Sequence, residues 1–385
     1  MGISPFLPPR YQQQSPPAVT FILHDAGETK ALTPVMHNLE QSGINYSILA
    51  SGTGKSLTRE NPHRVPNPEE IVSINKTDPY QAQRLAQKFN QAIQAKICVT
   101  GLVSDFQKQW ADFFRQTGRR VIGYYDGFRY NNNPVENPAN QFKDALTELL
   151  TPSMDTARYF QNIWFNKIPI FAAGQPTLES IPNEIKGINP TQLAQQIGLD
   201  RNKPTLLWIG QYGPAYEQAF ALFCQSAQRL PHANLLIALH PKAEVDGSFE
   251  RNMLAQYGLQ DRVKILPKSI STPTALTVSD MVLTHHSTMA TQAYLQGKNV
   301  VFVGQDQEDA FEPLERYGQV KRTITPADLL KSIDSYLWTN PSSEGLPINW
   351  QRQACLGIPF QATTRIANYI KGLLGQGEPN KRTAA

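Results

Sequence analysis

Short, nearly uninterrupted apolar runs alternate along this chain with longer stretches whose apolar residues recur at helical spacing. The first run, AVTFILHD (Ala18 to Asp25), has the continuous hydrophobicity of a strand buried on both faces. Ala26-Gly27-Glu28-Thr29 reads as a turn, and a helix near Lys30 to Ser42 carries Leu32, Val35, Met36 and Leu39 on one face. Gly43 closes it, and Tyr46 to Ser51 returns as a strand. Residues 52–70, with several Gly, Pro and Asn, read as a long loop. A helix over about Pro79 to Gln94, a strand over Lys96 to Gly101, a helix over Asp105 to Thr117 and the strand RRVIGYYDG continue the alternation. The Asn- and Pro-rich segment Phe128 to Pro138 predicts no regular structure, while LTELLTPS and Ile168 to Pro176 predict the last strands of this half.

Leu178 to Pro204 reads as a linker holding one short helix, Thr191 to Ile197. A second series follows: strand Thr205 to Gln211, helix Glu217 to Gln228, strand Asn234 to Lys242, helix Gly247 to Tyr257, strand VKILP and a segment near Ser271 to Leu276. It ends in a βαβ unit, with strands at Met281 to Thr284 and Val300 to Val303 around a helix over Met289 to Gln296. Gly297 stands where a helix C-terminus usually needs a left-handed residue. Pro326 to Trp338 and Ala362 to Leu374 are further helices. Strand-helix alternation of this kind predicts an α/β protein with parallel sheets. The expected division is a disordered Pro/Gln-rich arm (1–17), a Rossmann-like domain (18–176), a linker (177–204), a second Rossmann-like domain (205–345) and a C-terminal helix and tail (346–385).

Length supports that division, since 385 residues exceed what one core usually serves. The formal charge of +4 is slight, and no Lys/Arg block of the kind nucleic acid demands is present. Lys381-Arg382 could touch an anionic membrane surface, a solvated tail being the plainer reading. Cys98 and Cys224 lie in apolar runs as expected buried thiols, and no apolar run approaches the ~20 residues of a membrane helix. The expected location is the cytoplasm, with the inner face of the membrane as a variant.

Candidate chemistry falls at the carboxyl ends of strands, where ligands of parallel sheets bind. His240-Pro241-Lys242 ends one strand of the second half, and His285-His286-Ser287-Thr288 ends another. An imidazole, an ammonium, two hydroxyls and helix N–H groups could together grip a diphosphate or phosphodiester. The plainer readings are a histidine satisfying a loop carbonyl and a simple helix cap. His285 is expected to be structural, because one of two adjacent histidines on a strand end normally points away from the ligand. Gly210, Gln211 and Tyr212 also follow a strand and could touch the ligand, or form a simple turn.

In the first half, Asp25-Ala26-Gly27-Glu28 ends the first strand and Tyr125-Asp126-Gly127 ends a later one. Asp25, Glu28 or Asp126 could take a proton, and Gly27 would let backbone approach a ligand closely. Alternatively Glu28 favours a helix N-terminus and Asp126 is a turn residue before Gly127. Gly52-Thr53-Gly54-Lys55-Ser56 lacks phosphate-loop spacing, and no metal-ligand set, G-x-S-x-G elbow or G-x-G-x-x-G after the first strand occurs.

His240-Pro241 after an apolar strand, with Ser287-Thr288 heading the later helix, resembles two motifs of bacterial sialyltransferases; capsular Kdo transferases and polysialyltransferases share similar ones. The resemblance implies that His240 and the hydroxyl pair hold the phosphate of a CMP-sugar. The third motif of those families, two acids before glycine, is similar to Tyr125-Asp126-Gly127, which keeps one acid. Asp25-Ala26-Gly27-Glu28 looks like the first-strand turn of lipopolysaccharide Kdo transferases, where the glutamate is the proposed base. Many GT-B enzymes and the related UDP-N-acetylglucosamine 2-epimerases carry a ribose-binding glutamate in the final helix, where Gln292 stands here.

The architecture over residues 18–375 thus resembles the GT-B fold, two Rossmann-like domains facing each other across a cleft. The expected function is transfer of a sugar from a nucleotide-sugar donor to a surface glycan or glycolipid, with no metal or other cofactor. The second domain would hold the donor and the first the acceptor. Two rivals stand beside it: a 2-epimerase or hydrolase acting on the nucleotide sugar itself, and a non-catalytic glycan- or nucleotide-binding protein. Oligomeric state is left open.

Overall fold

A computed structural model describes residues 16–128, 137–240, 245–285, 287–305, 314–315, 320–339 and 349–375. Strands β1 (Val19–Leu23), β2 (Tyr46–Ala50), β3 (Ile97–Thr100), β4 (Arg120–Tyr124), β5 (Glu148–Thr151) and β6 (Ile170–Ala172) form one sheet in the order β2-β1-β3-β4-β5-β6. Strands β7 (Thr205–Ile209), β8 (Asn234–Ala238), β9 (Val263–Ile265), β10 (Met281–Thr284), β11 (Asn299–Val303) and β12 (Lys321–Thr323) form the other, β12-β11-β10-β7-β8-β9. Pairing is parallel throughout the described registers, as in Val19↔Tyr46 and Met281↔Leu206. The two-sheet Rossmann-like architecture expected from the sequence is therefore present.

The continuous apolar runs follow from burial on both sheet faces. In the second sheet, Leu207, Leu236, Val282 and Phe302 enter one core, and their neighbours Trp208, Ile237, Leu283 and Val303 enter the other. Strand order reverses between β1 and β3 and again between β7 and β10. At such a switch point the crossovers leave to opposite faces, opening a crevice outside the strand ends.

The helices α1 (Ala26–Gln41), α2 (Gly52–Leu57), α3 (Pro68–Asn75), α4 (Pro79–Ala92), α5 (Asp105–Gln116), α6 (Met154–Ile163), α7 (Pro176–Glu184), α8 (Pro190–Ile197), α9 (Pro214–Ala227), α10 (Ser248–Gln256), α11 (Thr272–Leu276) and α12 (Met289–Leu295) connect the strands. Helices over Pro326–Thr339, Trp350–Cys355 and Ala362–Leu373 follow. Three local expectations change. Ala26-Gly27-Glu28-Thr29, read as a turn, is the first turn of α1, because the Glu28 carboxylate accepts the N–H groups of His24 and Asp25 where the chain leaves β1. The 52–70 loop contains α2 and the start of α3; Gly54 N–H donates to His24 O at 2.6 Å, a tertiary bond that glycine-rich local sequence does not announce. The expected linker carries α7 as well as α8, and Leu178 and Ile181 of α7 enter the second sheet's core.

By packing, the described residues of 1–124, 141–148 and 366–385 form one unit, and those of 125–140 and 149–365 another. Cys98 and Cys224 are buried, and burial pushes the Cys224 thiol up to about 12. Among the described residues no helix is long and apolar enough to cross a membrane.

Candidate functional site

At the second sheet's switch point, three adjacent strands deliver the predicted clusters. Gly210 follows β7 and donates its N–H to Ala238 O of β8 at 2.8 Å. A Cβ on Gly210 would lie 3.0 Å from that carbonyl oxygen and 3.3 Å from the His240 nitrogen, so the two strand ends close tightly there. Tyr212 and His240, which follow β7 and β8, meet edge to face with ring centroids 5.0 Å apart. Tyr212 is exposed and His240 half-buried. Gln211 lies in the same loop, where a backbone hydrogen bond reaches the Tyr216 hydroxyl. That hydroxyl donates to the buried Glu250 carboxylate at 2.7 Å and takes the Trp208 indole N–H at 3.2 Å. The β7–α9 loop is thus anchored from beneath by a buried polar chain. Burial and the Glu250 charge push the Tyr216 phenol well above its ordinary range.

On β10, next to β7, Thr284 Oγ1 donates to Ile209 O at 3.1 Å. His285 is buried, its Nδ1 2.9 Å from Val303 O, which gives the structural role expected of it. Ser287 is buried and caps Met289 N–H at 3.2 Å, so the capping falls to Ser287, and Thr288 at the N-cap makes no side-chain cap bond. Gln292 is half-buried, and its Nε2 is a buried atom with no hydrogen-bond partner among the described residues. Pro241, Lys242 and His286 lie outside the described residues.

In the first sheet, Asp25 and Gly27 are exposed at the start of α1. Glu28 is 1% exposed; besides the His24 and Asp25 N–H groups it accepts the Gln107 amide of α5 at 2.5 Å. This carboxylate sits at the β1/β3 switch point, held between two helices and a strand end. Asp126 and Gly127 follow β4 but pack in the other unit, where the Gln175 amide donates to Asp126 O at 2.7 Å. The structure therefore gathers Gly210, Gln211, Tyr212 and His240 at the ends of β7 and β8, beside the β10 strand that leads to Ser287, Thr288 and Gln292. It places Asp126 and Glu28 in separate units.

The sequence motifs passed over His24, Ser51 and Gln107. His24 is the penultimate residue of the first apolar run, and its ring Nδ1 lies 2.8 Å from Ser51 Oγ. Gln107 lies far along the chain from Glu28, and no local pattern connects them. No group of described His, Cys, Asp or Glu side chains could hold a metal ion.

Two parallel Rossmann-like sheets, each with polar groups at the carboxyl edge of its switch point, define the fold class as GT-B. No family model and no curated protein matches the chain. Solved structures do. A Listeria monocytogenes protein assigned as a UDP-N-acetylglucosamine 2-epimerase is 12% identical, with TM-score 0.67 over 96% of this chain and 100% of its own. The UDP-GlcNAc 2-epimerase from Neisseria meningitidis, solved with UDP-GlcNAc, is 11% identical with TM-score 0.63, covering 93% of this chain and 98% of its own. A glycosyltransferase from Rickettsia africae is 14% identical with TM-score 0.60, covering 93% and 99%. At these identities the likeness is one of fold. The finer resemblance to sialyl- and Kdo-transferases rests on the short motifs alone.

Proposed function

We propose that this chain is a GT-B enzyme acting on a nucleotide sugar, and that its chemistry is on the sugar itself, of the 2-epimerase kind, ahead of transfer to an acceptor. The observation that carries this reading is fold likeness over nearly the whole chain to 2-epimerases, one of them solved with UDP-GlcNAc. Polar groups at the β7/β8/β10 edge supply the binding chemistry: Tyr212 and His240 beside the nucleotide, and Ser287 and Thr288 for its phosphates. Gln292 would face the ribose, where an amide can still serve a hydroxyl. Asp126 is the proposed proton acceptor among the carboxylates, since Glu28 is buried and engaged by N–H donors. Neither metal nor other cofactor enters the proposal.

Glycosyl transfer is the second reading, favoured by the His240-Pro241 and Ser287-Thr288 motifs and by the Rickettsia africae neighbour. Calorimetry with UDP, UDP-GlcNAc and CMP, then product analysis by NMR without acceptor and with EDTA present, separates the two. Uridine nucleotide binding and an epimerised product are expected. Turnover only when a glycan acceptor is added would favour transfer, and no nucleotide binding at all would overturn both.

A further inference from the structure

A single phenol oxygen ties the 210–213 loop to the second sheet and to α10. Tyr216 stands in the first turn of α9 and is 2% exposed, its ring stacked on Phe220 with centroids 5.8 Å apart and tilted against Trp208. Its hydroxyl takes the Trp208 indole N–H at 3.2 Å and a backbone hydrogen bond from Gln211, and it donates to Glu250 at 2.7 Å. A phenol offers one donor and two acceptor positions, so all of them are used. The Gln211 amide held in this way immediately precedes Tyr212, which is 53% exposed and meets the His240 ring. On the other side of Tyr212, Gly213 has φ +97°, a value that glycine adopts without steric cost. Tyr212 is thus fixed at both flanks while more than half of it faces solvent.

Filling the core does not call for these groups. Phenylalanine and leucine would occupy the same space without taking the Glu250 carboxylate, 2% exposed, out of water. What they would lose is the hold on Gln211. A buried polar network that apolar residues could replace at little cost in stability serves best where it fixes one conformation. Here the conformation fixed is that of an exposed aromatic residue beside the second sheet's switch point.

We propose that Tyr216 and Glu250 are positioning residues, holding Tyr212 against His240 in the orientation that meets the nucleotide. Neither touches the ligand; both act through the Gln211 backbone. The assignment rests on the nucleotide-sugar reading given above, and all of its residues lie in one packing unit.

Calorimetry of UDP binding to the full chain provides the test. Tyr212→Ala should raise the dissociation constant about tenfold, and Tyr216→Phe about fivefold. The pair Tyr216→Phe/Glu250→Leu should bind as weakly as Tyr216→Phe but melt nearer the wild type, because no buried carboxylate is left without its phenol. Glu250→Gln, whose amide oxygen still accepts the phenol hydrogen, should stay within about twofold of wild-type affinity. In the Tyr212→Ala background, Tyr216→Phe should change affinity by less than about twofold, since the residue it acts through is gone. A merely structural role would give the same loss in both backgrounds. Wild-type affinity in folded Tyr216→Phe or in the pair, or an undiminished loss on top of Tyr212→Ala, overturns the proposal. A wild type that binds no UDP instead fails the underlying reading, and the assignment falls with it.

Discussion

A Cβ placed on Gly101 would lie 1.5 Å from Oε2 of Glu28. The carboxylate therefore occupies the space that any side chain at the end of β3 would take. Glycine at this position is required by a neighbour rather than by its own backbone, since no left-handed φ is involved there. Gly101→Ala should cost about 2–3 kcal/mol of stability through overpacking. Glu28→Ala in the same chain should recover part of that cost, so that the double variant is less destabilised than the sum of the two. Urea denaturation of the four-membered cycle measures both effects.

Exchanging Gln292 for glutamate tests the ribose position. The Gln292 Nε2 atom is buried without a partner among the described residues, and a carboxylate oxygen there would have no donor among them either. Gln292→Glu should lower stability of the free protein by about 1–3 kcal/mol. UDP should then stabilise the variant more than the wild type, whereas a 2′,3′-dideoxy analogue should not. Thermal shifts with the two ligands check this, and equal shifts would remove Gln292 from the ribose site.

His240→Ala removes the ring that meets Tyr212 and, on the proposed reading, a contact with the nucleotide. Nucleotide dissociation constants should rise about tenfold, equivalent to about 1.4 kcal/mol. Because His240 is half-buried at a strand end, the melting temperature should change little. Calorimetry with UDP gives the first quantity and a thermal melt of the free protein the second. Unchanged affinity would assign His240 to the loop alone.

Lys298 offers a pH prediction remote from the ligand chemistry. It is 5% exposed, and burial lowers its ammonium below the ordinary 10.5, an effect that Asp280 partly offsets. The folded state therefore binds fewer protons than the unfolded chain between the lowered value and 10.5. Stability rises with pH across that window and carries the full penalty below it. Lys298→Met should raise stability at pH 7 by about 1 kcal/mol, with the gain shrinking toward pH 10. Urea melts at the two pH values check the sign.

Much of the fold was legible because it is written in local periodicity. The run Met281 to Thr284, the helix from Met289 and the left-handed Gly297 at φ +82° all stand where hydrophobic spacing and helix-end chemistry put them. The structural role of His285 is legible from its adjacency to His286. Errors gathered where local sequence is ambiguous. Gly52 to Leu57 looks like loop but is helical, docked under His24. Ala26 to Thr29 looks like a turn until the Glu28 carboxylate is seen to satisfy the donors of the preceding residues.

The sequence by itself determined the strand-helix alternation, the two parallel sheets and the placing of polar clusters at strand ends, since each follows from periodicity and from the direction of parallel strands. Tertiary structure alone decided that Glu28 is buried against Gly101 and Gln107, that Ser51 fixes the His24 ring, and that Tyr212 meets His240. Those relations depend on hydrogen bonds and close approaches between residues distant along the chain. Such contacts leave no periodic trace in the sequence.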